Sequence, residues 1–300
     1  HQYQPAVIMF YHDRKLQYRV RVDNPNPHFA KMLQQAIGGI EGEMRVCLQY
    51  LFQAWGSRGP AKYRDMLLET GTEEIGHIEM LATAVALNLE GAPTETKANA
   101  ALHPIVNAVL GGMDPRHVLS SGLAAMAADA NGVPFNGSWV VASGNVAADM
   151  YANVMAESTG RLLATRLYEA TDDPGMKDML SFLIARDTMH QNQWLAVLED
   201  LGGLTQVHPI PNSFPQSLEN QEFSYSFFSH QREPAPDPQQ RWTTGESIDG
   251  RSQFRFVQST PMGGEPKLAP PIPEGHAQQE EMMGSRSGGE DMEEGSTMRS

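Results

Sequence analysis

Two acid-x-x-His pairs are the residues best placed to do chemistry. Glu74 and His77 lie within Glu73-Glu74-Ile75-Gly76-His77, and Asp187 and His190 within Asp187-Thr188-Met189-His190. Residues three apart share one face of a helix, so each pair offers a carboxylate and an imidazole to a common point. Each pair follows a lone Glu set in an apolar helical pattern. Glu43 stands among Ile40, Met44, Cys47, Leu48 and Leu51, and Glu157 among Val154, Met155, Leu162 and Leu163. The separations match: 31 residues from Glu43 to Glu74 and 30 from Glu157 to Asp187. Two helical hairpins packed together would bring six polar side chains into one core layer, as in bundle-type dimetal carboxylate sites. Burying those carboxylates without counter-charge is prohibitive, and two divalent or trivalent cations would supply it. Oxygen and imidazole donors without thiolate point to manganese or iron rather than zinc or copper. A single acid-x-x-His is ordinarily a solvated or capped pair; the matched duplication carries the metal reading. One choice stays open: Glu73 and His77 form an i,i+4 pair, so Glu73 competes with Glu74, and the spacing favours Glu74.

The elements that must hold these residues can be read in order. Residues 16–22 (Leu-Gln-Tyr-Arg-Val-Arg-Val) alternate in character and predict a short strand. Asn26-Pro27 reads as an N-cap followed by proline at the first helical position, opening a helix to about residue 55, before Gly56 and Gly59. Pro60 starts a second helix to about residue 88, and a weaker one is expected over 98–110. Residues 111–144 are rich in Gly, Pro, Asn and Ala and read as a long connection. Helices three and four are expected over 145–170 and, capped by Asp173-Pro174, over 174–201, ending at Gly202-Gly203. Two hairpins joined by a long crossover make an all-α, ferritin-like four-helix bundle. The expected organisation is an N-terminal segment with a short strand (1–22), the bundle with its dimetal site (23–204), an extended C-terminal arm (205–260) and an acidic tail (261–300). Met9 directly precedes the strand-like segment and is a candidate natural start, which would make residues 1–8 a leader.

Composition narrows the function class. The chain has 300 residues, 40% of them apolar, and a formal net charge of −14. That balance argues against nucleic acid as a partner. No apolar run reaches the ~18 residues a membrane span needs. The lone cysteine, Cys47, rules out an intrachain disulfide and a thiolate zinc cluster, and a cytoplasmic location is expected. Prolines at 209, 211, 215, 234, 236 and 238 suggest an extended arm, with Trp242, Phe254 and Phe256 to lay on a neighbouring subunit. Residues 265–300 carry eight acidic and three basic residues, too polar to offset their ordering entropy, so disorder is expected.

At the candidate ligands the sequence resembles the manganese catalases. Gly38-Gly39-Ile40-Glu41-Gly42-Glu43-Met44, with Gln49-Tyr50 after it, is similar to that family's first metal helix. The run from Glu69 through Glu73-Glu74-Ile75-Gly76-His77 to Met80 is similar to its second. The resemblance spans about residues 9–230 and leaves out the acidic tail. It implies that Glu74 bridges two manganese ions, with Glu43 and His77 completing one and Glu157 and His190 the other, and that Glu73 is a supporting or surface residue. It implies hydrogen peroxide as substrate, disproportionated to water and oxygen, and a hexamer as the homo-oligomer. Tyr50, two turns after Glu43, can then serve as a hydrogen-bond donor behind the ligands. Two positions depart from the pattern. Asp187 stands where the family often has Glu; being a methylene shorter, it is expected to relay protons rather than bind metal. Ala156 stands where some members have Arg, and Arg161, one turn after Glu157, is the expected replacement charge. Asp65 and Glu69, at i,i+4, resemble part of a calcium site in some relatives, whose C-terminal partners would fall around Ser229. The loop at 111–144, through Gly132-Val133-Pro134-Phe135-Asn136-Gly137, is a candidate mouth for a peroxide channel. Two other functions fit the fold: a di-iron oxidase or ferroxidase, and a non-enzymatic structural or coat protein.

Overall fold

The computed structural model describes residues 13–90 and 115–269. The candidate leader at 1–8, the weak helix at 98–110 and the tail beyond residue 269 lie outside the described residues. The chain forms α1 (Pro27–Gly38), α2 (Glu43–Gly56), α3 (Ala61–Leu89), the short α4 (Pro115–Leu119), α5 (Val146–Glu169) and α6 (Pro174–Asp200). α2 packs on α3 and α5 on α6, and a long crossover containing α4 joins the two hairpins. No helix among the described residues is long and apolar enough to cross a membrane.

The caps lie where the sequence places them. Asn26 Oδ1 accepts from the backbone N–H groups of His28 and Phe29, with Pro27 opening the helix. Asn145 accepts from Ala148 N and Asp173 from Met176 N. Gly202 and Gly203, with φ of 105° and 72°, end α6 in a conformation that favours glycine.

The expected first helix is in fact two. It breaks at Gly39–Gly42, where a Cβ on Gly42 would lie 2.7 Å from the carbonyl oxygen of Ile37, and the crossover lies against the end of α1: a Cβ on Gly38 would lie 2.4 Å from the carbonyl oxygen of Ala128. The break makes Glu43 the first residue of α2, where the helix dipole favours a carboxylate. A series of polar side chains fastens the crossover to α1 and α2. Gln34 Nε2 donates to the carbonyls of Met126 and Ala128, both at 2.6 Å, and its Oε1 accepts from Met126 N. Arg45 Nε donates to Trp139 O, and Gln49 Oε1 accepts from Val141 N.

Residues 16–22 are not a strand. Alternate side chains do face the core, Leu16, Tyr18, Val20 and Val22 packing against it, but no described strand lies beside them. The segment is a strap across α6: Tyr18 stacks on Phe182 with ring centroids 4.4 Å apart, and Arg19 Nε meets Asp178 at 2.6 Å. The arm is also not simply extended. β1 (Ser226–Ser229) and β2 (Arg255–Gln258) pair in parallel with Phe227 opposite Phe256. The proline clusters flank this Phe-rich run without interrupting it, which leaves its backbone free to pair.

The core falls into two apolar clusters. One joins α1 to the C-terminal half of α3, the end of α5 and the start of α6, around Phe29, Leu33, Met80, Leu81, Met179 and Leu180. The other joins α2 to the N-terminal half of α3, the first part of α5 and the end of α6, around Tyr50, Leu67, Met150 and Trp194. The six polar residues singled out from the sequence sit on these helices between the two clusters.

Candidate metal centre

Glu74 occupies the middle of this polar layer and is 1% exposed. Its Oε2 lies 2.6 Å from His77 Nδ1, and its Oε1 lies 3.0 Å from His190 Nδ1. Glu43 Oε2 is 3.9 Å from His77 Nδ1, and Glu157 Oε1 is 3.3 Å from His190 Nδ1. Two groups able to hold a metal follow, Glu43–Glu74–His77 and Glu74–Glu157–His190, the donor atoms of each within 4.8 Å of one another. Glu74 belongs to both and turns one oxygen to each imidazole. The rings lie 5.9 Å apart, centre to centre.

Both Glu74 oxygens and the Nδ1 atoms of both histidines are buried without a hydrogen-bond partner, although they approach one another closely. Buried polar atoms are normally paired, and lone pairs converging on shared points are what a bound cation satisfies. With protons as the only positive charge, the carboxylates raise both imidazoles. Burial works against His190 being charged, yet its contacts with Glu157, Glu73 and Glu74 hold it up to about 12. Burial and the neighbouring Glu74 charge push Glu43 up to about 7. Burial also opposes ionisation of Glu74, but the two histidines hold it down to about 2. Such an excess of buried carboxylate over cation suits divalent or trivalent ions, and the donors are oxygen and nitrogen alone.

The far side of each ring meets Glu73. His190 Nε2 lies 3.2 Å from Glu73 Oε2, and His77 Nε2 lies 3.4 Å from Glu73 Oε1. Arg186 grips the same carboxylate with Nε at 2.6 Å and Nη2 at 3.2 Å. Burial disfavours the Glu73 charge, but these contacts hold it well below the usual carboxylate range. The i,i+4 spacing that makes Glu73 a rival of Glu74 thus places it beneath both histidines, and the matching sequence signal is Arg186 four residues before His190. Arg161 does not supply the replacement charge. Its Nη1 donates to Ile184 O at 2.7 Å and to Thr188 Oγ1, so it is spent on the surface of α6.

Tyr50 is fully buried and its hydroxyl donates to Glu157 Oε1. Asp187 joins neither metal group. It is 5% exposed, and burial and then the charges of Glu43, Glu157 and Glu74 push it up to about 9. Asp187, Glu43 and Glu157 together line a cavity of about 20 Å³. None of the described residues of 115–144 lines this cavity, because that loop is bound to α1 and α2 instead. Asp65 and Glu69 lie exposed one turn apart on α3, and they join no group of three metal-ligating side chains among the described residues. Ser229 is buried on β1.

Comparison with known proteins gives a consistent picture. The family model described as manganese containing catalase matches residues 9–287. A manganese catalase of Bacillus subtilis is 49% identical over 269 residues, covering 88% of this chain and 96% of its own. A manganese catalase of Lactiplantibacillus plantarum is 38% identical, covering 90% of this chain and all of its own. The crystal structure of KatB, a manganese catalase from Anabaena, has the same fold, with a TM-score of 0.64 at 23% identity over 83% of this chain and 99% of its own. The buried carboxylate–histidine layer is therefore set in a ferritin-like helical fold, and the chain belongs to the manganese-containing catalase family.

Proposed function

We propose that this catalase disproportionates hydrogen peroxide to water and oxygen at a site for two manganese ions per chain. The observation that carries this reading is the pair of buried groups sharing Glu74. Glu74 would be shared by the two ions, with Glu43 and His77 holding one and Glu157 and His190 the other, each histidine offering Nδ1. When bound, the pair alternates between Mn(II)₂ and Mn(III)₂ and supplies the two electrons exchanged with each peroxide.

The protein's own groups do the rest. Reducing one peroxide to two waters consumes two protons, and oxidising the next to oxygen releases two. Asp187 is the group to hold one: buried beside three carboxylates, it favours its neutral form and lines the same cavity as Glu43 and Glu157. Tyr50 orients Glu157 through its hydroxyl. Glu73 accepts from His190 Nε2 and lies 3.4 Å from His77 Nε2, and so helps to keep both Nδ1 atoms facing Glu74. Burial keeps bulk water from the layer.

The same reading takes the chain to be a cytoplasmic homo-oligomer. Cys47 is free and buried, as suits a reducing compartment. Phe52, Trp55, Ile75, Leu162 and Leu195 are each at least half exposed on the helices, which suits contact with other copies. The test is metal quantification alongside oxygen release from peroxide. Two manganese per chain with oxygen evolution is expected. Manganese-free protein that oxidises Fe(II) would establish the di-iron alternative instead.

A further inference from the structure

The outer face of the α3–α6 pair carries two hollows outside the metal layer. One starts at Gln17 and Phe182, passes Glu73 and Arg186, and reaches Met66 and Gln193. The other starts from the same Met66 and Gln193 and runs past Met189 to Lys62 and Asp200. Sharing those two residues, they form one furrow along the helix pair. Apolar side chains lie along its whole length: Phe182, Met66, Met189, Tyr63 and Val197. Met189 is 48% exposed. The Glu73–Arg186 pair also opens onto the furrow, with side chains 20% and 34% exposed.

The strap at 16–22 leads into this furrow. Asp23 N and Asn24 N donate to Asp173 at the start of α6. Tyr18 stacks on Phe182 further along that helix, and Gln17 Nε2 donates to Glu73 Oε1 at 3.2 Å. Followed backwards, the chain therefore advances along α6 and meets the near end of the furrow at Gln17. Lys15 N then donates to Asp13 Oδ1 in a local turn. The preceding sequence, Met9-Phe10-Tyr11-His12, lies outside the described residues and is rich in large apolar and aromatic side chains. From Phe182 to Gln193 the helix rises about 16 Å, and the chain from Phe10 to Gln17 can span up to about 23 Å. Phe10 thus reaches the middle of the furrow with length to spare for the turn.

We propose that Met9-Phe10-Tyr11 of this same chain fills the furrow, with Phe10 seated against Met66. The occupant is the chain's own segment because the strap already brings it to the furrow, so docking is intramolecular and loses little freedom. The thioether lining also suits aromatic side chains. Once seated, the segment covers the Glu73–Arg186 pair and keeps water from the carboxylate behind both imidazoles, where a drier setting strengthens ionic contacts. The N-terminal segment thereby closes the outer side of the centre.

The experiment uses the full chain with its manganese. Phe10→Cys is combined with Met66→Cys or with Ala196→Cys, both on the furrow. Mild oxidation is followed by non-reducing electrophoresis and peptide mass spectrometry. Cys47 does not interfere: it is buried, and that burial pushes its thiol up to about 12. A disulfide within one chain is expected in at least one pair, since the bond needs Cα atoms within about 7 Å. Separately, Ala196→Cys is labelled with a maleimide, with and without Phe10→Asp. Labelling should be about tenfold faster once Phe10→Asp expels the segment, and manganese release to a chelator should quicken with it. Neither thiol readout depends on turnover, so both stand apart from the catalase reading. Disulfides only between chains would place a second copy in the furrow and overturn the proposal. The absence of any disulfide would overturn it too, as would labelling of Ala196→Cys that Phe10→Asp leaves unchanged. Faster labelling without faster manganese release would overturn the shielding of Glu73.

Discussion

Replacing Glu73 with Gln probes the least conspicuous part of the centre. Glu73 belongs to neither metal group, and its side chain is 20% exposed, so inspection of the ligands alone would class it as surface. Its carboxylate nevertheless lies 3.2 Å from His190 Nε2 and 3.4 Å from His77 Nε2, with Arg186 paired to it on the outside. Carboxylates placed behind ligating imidazoles are worth about 10- to 100-fold in metal affinity, or about 1.4 to 2.7 kcal/mol. Here one carboxylate serves both rings, so both binding steps should weaken together. Gln keeps one acceptor oxygen and turns an amide N–H₂ toward Arg186 or a ring nitrogen, which places Glu73→Gln at the lower end of that range and Glu73→Ala at the upper. The assay is manganese titration against a competing chelator. Glu69→Gln, on the same helix but exposed and outside the layer, is the control and should bind like wild type. If Glu73→Gln takes up both ions with wild-type affinity, the histidines are held by something other than Glu73 and the reasoning fails.

Other predictions follow from the same layer. Asp187→Asn should retain its metal but lose about 10²- to 10⁴-fold in kcat, the usual worth of a positioned proton carrier; full turnover would remove Asp187 from the mechanism. Gly38→Val should lower the melting temperature, because its Cβ would meet the Ala128 backbone at 2.4 Å and neither main chain can yield cheaply; the expected cost is about 1–3 kcal/mol, and an unchanged melting temperature would show that the crossover is not held there. Metal-free protein should lose stability as pH rises. Glu43 and Asp187 have folded-state values of about 7 and about 9, above those of ordinary carboxylates, so the folded chain binds more protons than the unfolded one from about pH 4 to 9. His190, raised to about 12, extends the same trend to higher pH, whereas Glu74, lowered to about 2, adds stability only above the acid range and loses it as pH falls. Manganese displaces these protons, so its stabilising effect in denaturant titrations should grow between about pH 5 and 9.

Much of this molecule is legible without coordinates because its signals are local. Asn26-Pro27, Asn145 and Asp173-Pro174 announce helix starts through their own side chains, and the structure shows each capping the next turn. The duplicated acid-x-x-His spacing is equally local, and of the six residues it groups all but Asp187 meet in the two metal-ligating groups. What spacing misses depends on distant partners. The helical reading passes over Gly38, Gly39 and Gly42, a local break signal, and only the fold shows that Ala128, some ninety positions away, lies against Gly38. Alternation at 16–22 correctly marks an inward face, but a strand also needs a neighbour to pair with, and that is not written in the segment. Arg161 has the right spacing to reach the centre, yet the Ile184 carbonyl captures it. Arg186 reaches the histidines only through Glu73, a connection that exists once α3 and α6 are side by side.

The division of the core into two apolar clusters bears on how the protein acquires its cofactor. Each cluster recruits α3, α5 and α6 together with one half of the broken first rod. The order of the helices is therefore specified twice over by hydrocarbon packing, above and below the charged stratum, before any cation is present. A zinc finger has no fold until its ion arrives; here two apolar clusters supply packing that does not pass through the ligands. Metallation should then be possible in the folded protein. Stripped chains should be a recoverable reserve, able to regain manganese without passing through the unfolded state.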